Sequence, residues 1–261
     1  MNFTVLTIFP DMFNPFWKHG IVRKAIEEQK ICPSVVNIRD FANGKHSITD
    51  DRPYGGGSGM VMKPEPLAAA IRFAKKCSPC SKTVLLSPQG LKFNQDMAGK
   101  LADLDGLILI CGRYEGVDER IFNSFIDLEV SIGDFILTGG ELAAMTIIDA
   151  VARLIPGVLG GTDSAEKDTF SDNLVEHAHF TRPRVFENSK VPDVLISGNH
   201  FEIERWRRET ALKRTFLKRK DLLENKRLDE SEIKILKKWC IDIEKIIHDQ
   251  SLHGSDTLPG N

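Results

Sequence analysis

Residues 107–116, LILICGRYEG, join a continuous apolar run to a loop that carries two glycines. A short apolar run ending at glycine is typical of a buried strand in a parallel sheet. The pattern returns at residues 84–90 (VLLSPQG) and 128–134 (LEVSIGD), and a fourth glycine turn follows at residues 137–140 (LTGG). Because ligands bind beyond the carboxyl ends of strands in open α/β sheets, these turns predict a ligand site.

Two further apolar runs, at residues 5–9 and 35–38, complete a set of five predicted strands, and helical patterns lie between them. Between the second and third strands, for example, Leu67, Ala70, Ile71 and Ala74 recur at three- and four-residue spacing. Strands that alternate with helices predict an α/β fold, in which a mostly parallel sheet is covered on both faces. We expect this domain to occupy residues 1–160.

The composition is that of a globular protein of moderate size. The chain has 261 residues, 41% of them hydrophobic, and a formal net charge of −2, so any basic surface for nucleic acid has to be local. No apolar run approaches the roughly 18 residues of a membrane helix, and the N-terminal residues lack the pattern of a secretory signal. We therefore expect a cytoplasmic protein without a membrane partner.

Five scattered cysteines indicate reduced thiols rather than a disulfide framework. Two of them, Cys77 and Cys80, form a C-x-x-C motif, which is compatible with a redox pair or with half of a zinc site. Tetrahedral zinc needs two more ligands, and the sequence contains neither a second C-x-x-C nor an H-x-x-x-H. The sequence therefore favours an incidental pair.

The sequence changes character after residue 160. Residues 161–175 are polar and predict a flexible linker, residues 176–247 predict a helical domain, and residues 248–261 predict a disordered tail. In the helical part, Asp229 and Glu232 have the spacing of a capping box. An apolar stripe follows it, formed by Ile233, Leu236, Trp239, Cys240, Ile243, Ile246 and Ile247.

Two segments have both an ordinary and a functional interpretation. Residues 201–220 carry eight bases against three acids, which indicates either a solvated helix face or a footprint for RNA phosphates. Residues 50–59, DDRPYGGGSG, indicate either a mobile surface loop or a lid that orders over a substrate. The sequence has neither a P-loop nor a G-x-G-x-x-G motif, which disfavours a flavodoxin-like or NAD-binding protein.

The glycine-bearing loops, taken in order, resemble the bacterial tRNA (guanine-N1)-methyltransferases of the SPOUT class, which modify guanosine 37 beside the anticodon. The resemblance extends over residues 1–225. The matching stretches are DDRPYGGGSG (50–59), SPQG (87–90), CGRYEGVDER (111–120), SIGDFILTGGELAAM (131–145), IPGVL (155–159), TRP (181–183), VP (191–192) and SGNHFE (197–202).

The resemblance implies a trefoil knot near residues 85–140, a catalytic domain at residues 1–160 and a tRNA-binding domain at residues 176–247. It also implies a homodimer whose active sites take residues from both chains. The loops of the knot would hold S-adenosylmethionine in a bent shape. The implied cofactor contacts are Ser87, Pro88, Gly112, Tyr114, Glu115, Ile132, Gly133, Phe135, Leu137, Gly139 and Gly140.

The resemblance assigns the chemistry to three residues. Asp168 is the general base that removes the proton from guanine N1, and Arg153 stabilises negative charge on O6. Glu115 lies near the methyl-transfer site, and a transient magnesium ion between Glu115 and Asp168 is part of the same expectation. By residue pattern alone, Asp168 is a solvated linker residue and Arg153 is a cation that favours a helix C-terminus.

RNA contacts are expected from the glycine-rich segment and from the basic run. They are Asp50, Arg52, Gly55, Gly56, Gly57, Gly59, Arg205, Arg208, Lys213 and Arg214. The chain departs from the family pattern at five positions. Ser58 and Ala143 replace prolines, Phe135 and Phe180 stand where tyrosine is common, and Arg184 stands where relatives can carry an acid.

Two other functions stay open at this point. One is a knotted methyltransferase that acts on another RNA or on a ribose oxygen, and the other is an RNA-binding protein that has lost catalysis. The pairing of Asp168 with Arg153 favours attack by a ring nitrogen that must lose a proton. The intact glycine turns disfavour a loss of catalysis.

Overall fold

The computed structural model describes residues 1–159, 170, 173–224 and 226–253, with side chains up to residue 248. The chain divides into two compact units, Met1–Ala165 and Glu166–Asn261. Asp168 and most of the predicted linker lie outside the described residues. Within the part that is described, no helix is long and apolar enough to cross a membrane.

The first unit is built on a five-stranded parallel sheet. Its elements, in chain order, are β1 (Asn2–Thr7), α1 (Gly20–Glu27), β2 (Cys32–Asn37), β3 (Asp50–Asp51), β4 (Val61–Met62), α2 (Pro64–Cys77), β5 (Lys82–Lys92), α3 (Gln95–Ala102), β6 (Gly106–Cys111), α4 (Glu119–Phe125), β7 (Leu128–Ser131) and α5 (Glu141–Ala152). The strand order is β2-β1-β6-β5-β7, and every neighbouring pair is parallel. The predicted α/β fold with a mostly parallel sheet is confirmed, and β6, β5 and β7 lie side by side.

Alternating side chains of each strand enter one of two cores. From β6, Leu107 and Leu109 pack on the side of α1, α3 and α5, whereas Ile108 and Ile110 pack on the side of α2 and α4. All four side chains are fully buried, and each contributes ~1.5–3 kcal/mol by leaving water. A strand that is buried on both faces is continuously apolar, which is why the β6 segment could be recognised from its sequence.

β5 differs from the prediction of a strand that ends at a turn. The strand continues beyond residues 87–90 to Lys92, and both Leu86 and Leu91 pair with Val130, so the four residues between them bulge out of the ladder. A side chain at Gly90 would place its Cβ 2.5 Å from the carbonyl carbon of Glu129. Glycine is therefore required for the close approach of β5 to β7.

The described residues of the second unit form a short hairpin and three α-helices. They are β8 (Val185–Phe186), β9 (Ser189–Lys190), α6 (His200–Lys218), α7 (Lys220–Glu224) and α8 (Glu230–His253). Its small core is formed by Leu174, Ala211 and Leu212, against which Ile235 and Trp239 pack. Leu174 lies within the segment predicted as linker, so the described end of that segment belongs to the packing of this unit.

The capping box that the sequence predicts at the start of α8 is confirmed. The amide of Glu232 donates to Asp229 Oδ1 over 2.9 Å, and the amide of Asp229 donates to Glu232 Oε2 over 2.8 Å. The end of the helix differs from the prediction, because α8 continues to His253 and so takes in the first residues of the expected disordered tail. Ile243 and Ile246 of the predicted stripe are more than half exposed.

Thr215 ties residues 174–175 to α6. Its fully buried hydroxyl accepts a hydrogen bond from the Val175 amide over 2.9 Å and donates to the Ala211 carbonyl over 2.7 Å. Thr215→Val should lower the free energy of unfolding of this unit by about 1–3 kcal/mol, because the Val175 amide loses its partner. Denaturant titration checks this, with Thr146→Val on the exposed face of α5 as the control. Equal losses of unfolding free energy in the two variants would contradict the role of Thr215 as the partner of the Val175 amide.

Candidate functional site

A cavity of about 670 Å³ opens at the carboxyl ends of β5, β6 and β7. Every residue that the resemblance assigned to the cofactor lines this one cavity, from Ser87 and Pro88 through Gly112, Tyr114 and Glu115 to the segment 132–140. The residues come from three loops that are far apart along the chain. The parallel sheet brings them together because the three strands are neighbours and point in the same direction.

Two of these loops are joined directly to each other. The Gly140 amide donates to the Gly112 carbonyl over 2.9 Å, and Arg113 and Gly139 form an isolated antiparallel bridge. A Cβ at Gly140 would lie 2.7 Å from Cys111 Cα and 3.1 Å from the Gly112 nitrogen. The close contact between the two backbones therefore depends on glycine at position 140.

Two residues that line the cavity, Tyr114 and Gly133, have backbone conformations that are uncommon for residues with a side chain. Tyr114 has a φ of 61°, which is uncommon for a residue with a side chain. Gly133 has a φ of 151°, and a Cβ there would lie 3.1 Å from Phe135 Cδ1. Phe135, at a position where tyrosine is common, is thus packed over its own turn while more than half of it stays exposed.

The glycine-rich segment 50–59 is attached to the rim of the cavity. Its base is the β3–β4 ladder, and the Glu115 amide donates to the Met60 carbonyl over 3.0 Å. Gly59, with a φ of +86°, lies so close to Glu115 that a Cβ would stand 2.6 Å from Glu115 Cγ. Glu115 is consequently the residue at which the cavity wall and the expected lid meet. Tyr54, at the tip of the segment, is fully exposed.

The remaining predicted residues lie at several places. Arg153 directly follows α5, with its amide 3.3 Å from the Asp149 carbonyl, and its proposed partner Asp168 is outside the described residues.

The predicted RNA contacts of the second unit lie on α6. Arg208 forms ion pairs with Asp229 and with the buried Glu232, so it contributes to the packing of the second unit. Arg205 pairs with Glu202 on the same helix, Lys213 is exposed, and Arg214 is half-buried.

The remaining departures from the family pattern have simple surroundings. Ala143 is buried in the core beside the cavity. Arg184 donates to Asp193 Oδ1 over 3.1 Å, and the ring of Phe180 lies 6.1 Å from that of Trp206. Ser58 is an exposed residue of the glycine-rich segment.

Metal ligands are not clustered in the part of the chain that the structure describes. No group of three or more His, Cys, Asp or Glu side chains there could hold a metal ion. Cys77 and Cys80 are exposed free thiols. Of the two residues expected to hold magnesium, only Glu115 is described.

The charged environment of the cavity includes a pair that sequence reasoning missed. Arg113 lines the cavity and forms an ion pair with Glu141, whose side chain is 1% exposed. Burial raises the pKa of the neighbouring Cys111 thiol well above its usual range, with a further upward contribution from the Glu141 charge and a downward one from Arg113. Both residues lie inside motifs quoted above, but nothing in the sequence pairs them, since they are 28 positions apart.

The fold defines an α/β protein with a cavity beyond the carboxyl ends of its parallel strands, where folds of this kind bind their ligands. A family model described as tRNA (Guanine-1)-methyltransferase TrmD matches residues 1–225. The chain therefore belongs to this family of S-adenosylmethionine-dependent enzymes, which confirms the resemblance drawn from the motifs.

Curated relatives span nearly the same length. A protein of Desulfatibacillum aliphaticivorans is 54% identical over 261 residues, which is 100% of both chains. One of Listeria monocytogenes serovar 1/2a is 49% identical over 241 residues, covering 92% of this chain and 98% of its own length. One of Dictyoglomus turgidum is 52% identical over 236 residues, covering 90% and 95%. All three are named tRNA (guanine-N(1)-)-methyltransferase.

Proposed function

We propose that the chain transfers a methyl group from S-adenosylmethionine to N1 of guanosine 37, next to the anticodon of tRNA. The observation that carries the proposal is the convergence of all the expected cofactor residues on one cavity at the ends of β5, β6 and β7. Family membership supports the reaction class. Because the proposed substrate is tRNA, we propose that the activity is cytoplasmic.

The residues present fit such a cofactor. Glycines at 112, 133, 139 and 140 carry no side chain, so the backbone of these turns can approach a ligand closely, and backbone groups at such an approach can recognise an adenine edge. The carboxylates of Glu115, Glu119 and Glu129 also line the cavity and favour a cationic ligand. When bound, the sulfonium supplies an electrophilic methyl group without the help of a metal.

The proposed mechanism divides the work among a few side chains. The loops orient the methyl donor, so that the methyl group is in line with guanine N1. Asp168 accepts the N1 proton, and Arg153 stabilises the charge that develops on O6. Glu115, held against Gly59 at the rim, orders the lid over the target base, which must leave its stack to enter.

Family membership also supports an assembly. We propose that residues 85–140 form a trefoil knot and that two copies of the chain share their active sites. The cavity-lining segment and the start of α5 expose several large apolar side chains, namely Phe135, Ile136, Leu137 and Leu142, which a partner chain would cover. Light scattering should give twice the 29.3 kDa mass of the chain. A mass of one chain at micromolar concentration would contradict the dimer.

The proposed tRNA surface comprises the segment 50–59 and the basic helix α6, with the residues of 161–175 that precede Leu174 as the linker and residues 176–247 as the RNA-binding domain. Arg52 and Lys213 represent the two parts, and both would contact phosphates rather than bases. RNA affinity should therefore fall steeply as salt is raised.

Tyr54 offers a direct test of the lid. A fully exposed tyrosine at the tip of a glycine-rich segment suits stacking on a base of the opened anticodon loop, which is worth ~1–3 kcal/mol. Tyr54→Ala should raise KM for tRNA at least about fivefold, while the dissociation constant for S-adenosylmethionine stays unchanged. Tyr54→Phe is the matched control and should keep the wild-type KM. An unchanged KM in Tyr54→Ala would show that Tyr54, and with it the tip of the segment 50–59, does not contact the RNA.

The proposed function is tested by methyl transfer to tRNA transcripts that carry guanine or adenine at position 37. We expect transfer from S-adenosylmethionine to the guanine transcript alone. Transfer to neither transcript, despite cofactor binding, would overturn the proposal. Equal transfer to both transcripts would show that the methylated nucleotide is not the one at position 37.

A further inference from the structure

The charges on the cavity wall are unequal. Among the described residues that line the cavity, four have ionic side chains. They are the acids Glu115, Glu119 and Glu129 and a single base, Arg113. A cation on the wall would oppose a positively charged ligand. The negative potential of the cavity therefore depends on how the charge of Arg113 is balanced.

Arg113 is held in one position by contacts on several sides. Its Nε donates to Glu141 Oε1 over 3.2 Å and to Oε2 over 3.0 Å, and one terminal nitrogen lies 2.9 Å from Oε2. The other terminal nitrogen donates to the Thr138 carbonyl over 3.1 Å. The guanidinium also lies 4.5 Å from the centre of the Phe9 ring. The charge of Arg113 is thus fixed beside Glu141.

Glu141 is buried behind the wall and is not part of the lining. Its carboxylate also accepts a hydrogen bond from the Thr7 hydroxyl over 2.7 Å. Since the carboxylate is 1% exposed, water and salt screen the pair much less than they would screen a surface pair. Glu141 therefore cancels the charge of Arg113 and leaves the three lining carboxylates to set the potential of the cavity.

We infer that Glu141, acting through Arg113, is a specificity-determining residue that lets the cavity distinguish the cationic sulfonium of the methyl donor from the neutral thioether of the demethylated product. The inference rests on the proposed function, because it takes S-adenosylmethionine as the ligand. The two molecules differ by one methyl group and one positive charge. Without the charge of Glu141, Arg113 would offset one of the three lining carboxylates, and the cavity would favour the donor over the product less strongly.

The test compares the affinities of S-adenosylmethionine and S-adenosylhomocysteine for the full-length protein by isothermal titration calorimetry. One unit charge acting over ~10 Å at an effective dielectric constant of ~20 changes a binding constant by roughly tenfold. Glu141→Gln, which preserves shape, should therefore weaken the donor more than the product, so that their affinity ratio falls about three- to tenfold. The double variant Arg113→Gln/Glu141→Gln removes both charges and should return the ratio to the wild-type value.

Thr7→Val is the matched control, because it removes a hydrogen bond to Glu141 without changing any charge. It should leave the ratio unchanged even where both affinities fall. Equal weakening of donor and product binding in Glu141→Gln would overturn the inference, because it would show that the Arg113–Glu141 ion pair only holds the structure together. If Glu141→Gln does not fold, the double variant decides: if the Glu141 charge did not cancel that of Arg113 in the wild type, loss of the Arg113 cation would raise the ratio above the wild-type value and overturn the inference. Failure of the wild type to bind either molecule would instead count against the proposed function.

Discussion

Replacing Asp168 with asparagine should lower kcat for methyl transfer about 10²–10⁴-fold, the range that a positioned general base contributes. Asparagine keeps the shape of the side chain but cannot take the proton from guanine N1. The cofactor residues lie on the loops between Ser87 and Gly140, so the dissociation constant for S-adenosylmethionine should stay within about twofold. Single-turnover kinetics and calorimetry measure the two quantities separately.

Asp163→Asn is the matched control, because Asp163 lies in the same polar segment as Asp168. It should keep wild-type kcat. Parallel losses of kcat and of cofactor affinity in Asp168→Asn would contradict the role of a base, and so would equal effects of the two substitutions.

The substitution Gly140→Ala should weaken the binding of S-adenosylmethionine about tenfold or more. The added Cβ would lie 2.7 Å from Cys111 Cα and 3.3 Å from the Cys111 carbonyl carbon, and overpacking of this kind costs ~1–3 kcal/mol. The three atoms nearest to the new methyl group all belong to the backbone, so we expect the strain to be relieved by moving the 137–140 loop away from Gly112. Calorimetric titration of the cofactor checks the result.

Gly99→Ala controls for the chemical change itself. Gly99 lies on α3, and the new methyl group would have nothing within 4 Å. Alanine there should leave cofactor affinity unchanged and favour the helix slightly. Wild-type affinity in Gly140→Ala would show that the contact between the two loops does not shape the binding site.

The sheet and the cavity could be foreseen because local patterns encode them. A strand buried on both faces, such as Leu107–Cys111 in the sequence, is continuously apolar. Glycine marks the end of such a strand where the backbone must turn. Once the strands are parallel neighbours, their carboxyl ends must meet, so the position of the cavity follows from the order of the loops. The capping box of Asp229 and Glu232 was equally visible because it is local.

What escaped the sequence depends on tertiary contacts. The pairing of Arg113 with Glu141 crosses 28 positions, and the Thr7 hydroxyl joins it from a third element. The bulge at residues 87–90 arises because β7 continues to pair with β5 on both sides of the SPQG segment. The role of Arg208 within the second unit depends on the buried carboxylate of Glu232. Residue spacing contains no signal for any of these contacts.

The proposed function depends on which atom of the tRNA receives the methyl group. The most direct test is to methylate a tRNA transcript with guanine at position 37, digest it to nucleosides and identify the methylated product by liquid chromatography and mass spectrometry. We predict that 1-methylguanosine is formed and that it is lost when Asp168 is replaced by asparagine. A product methylated on the ribose oxygen or on another ring position would contradict the account.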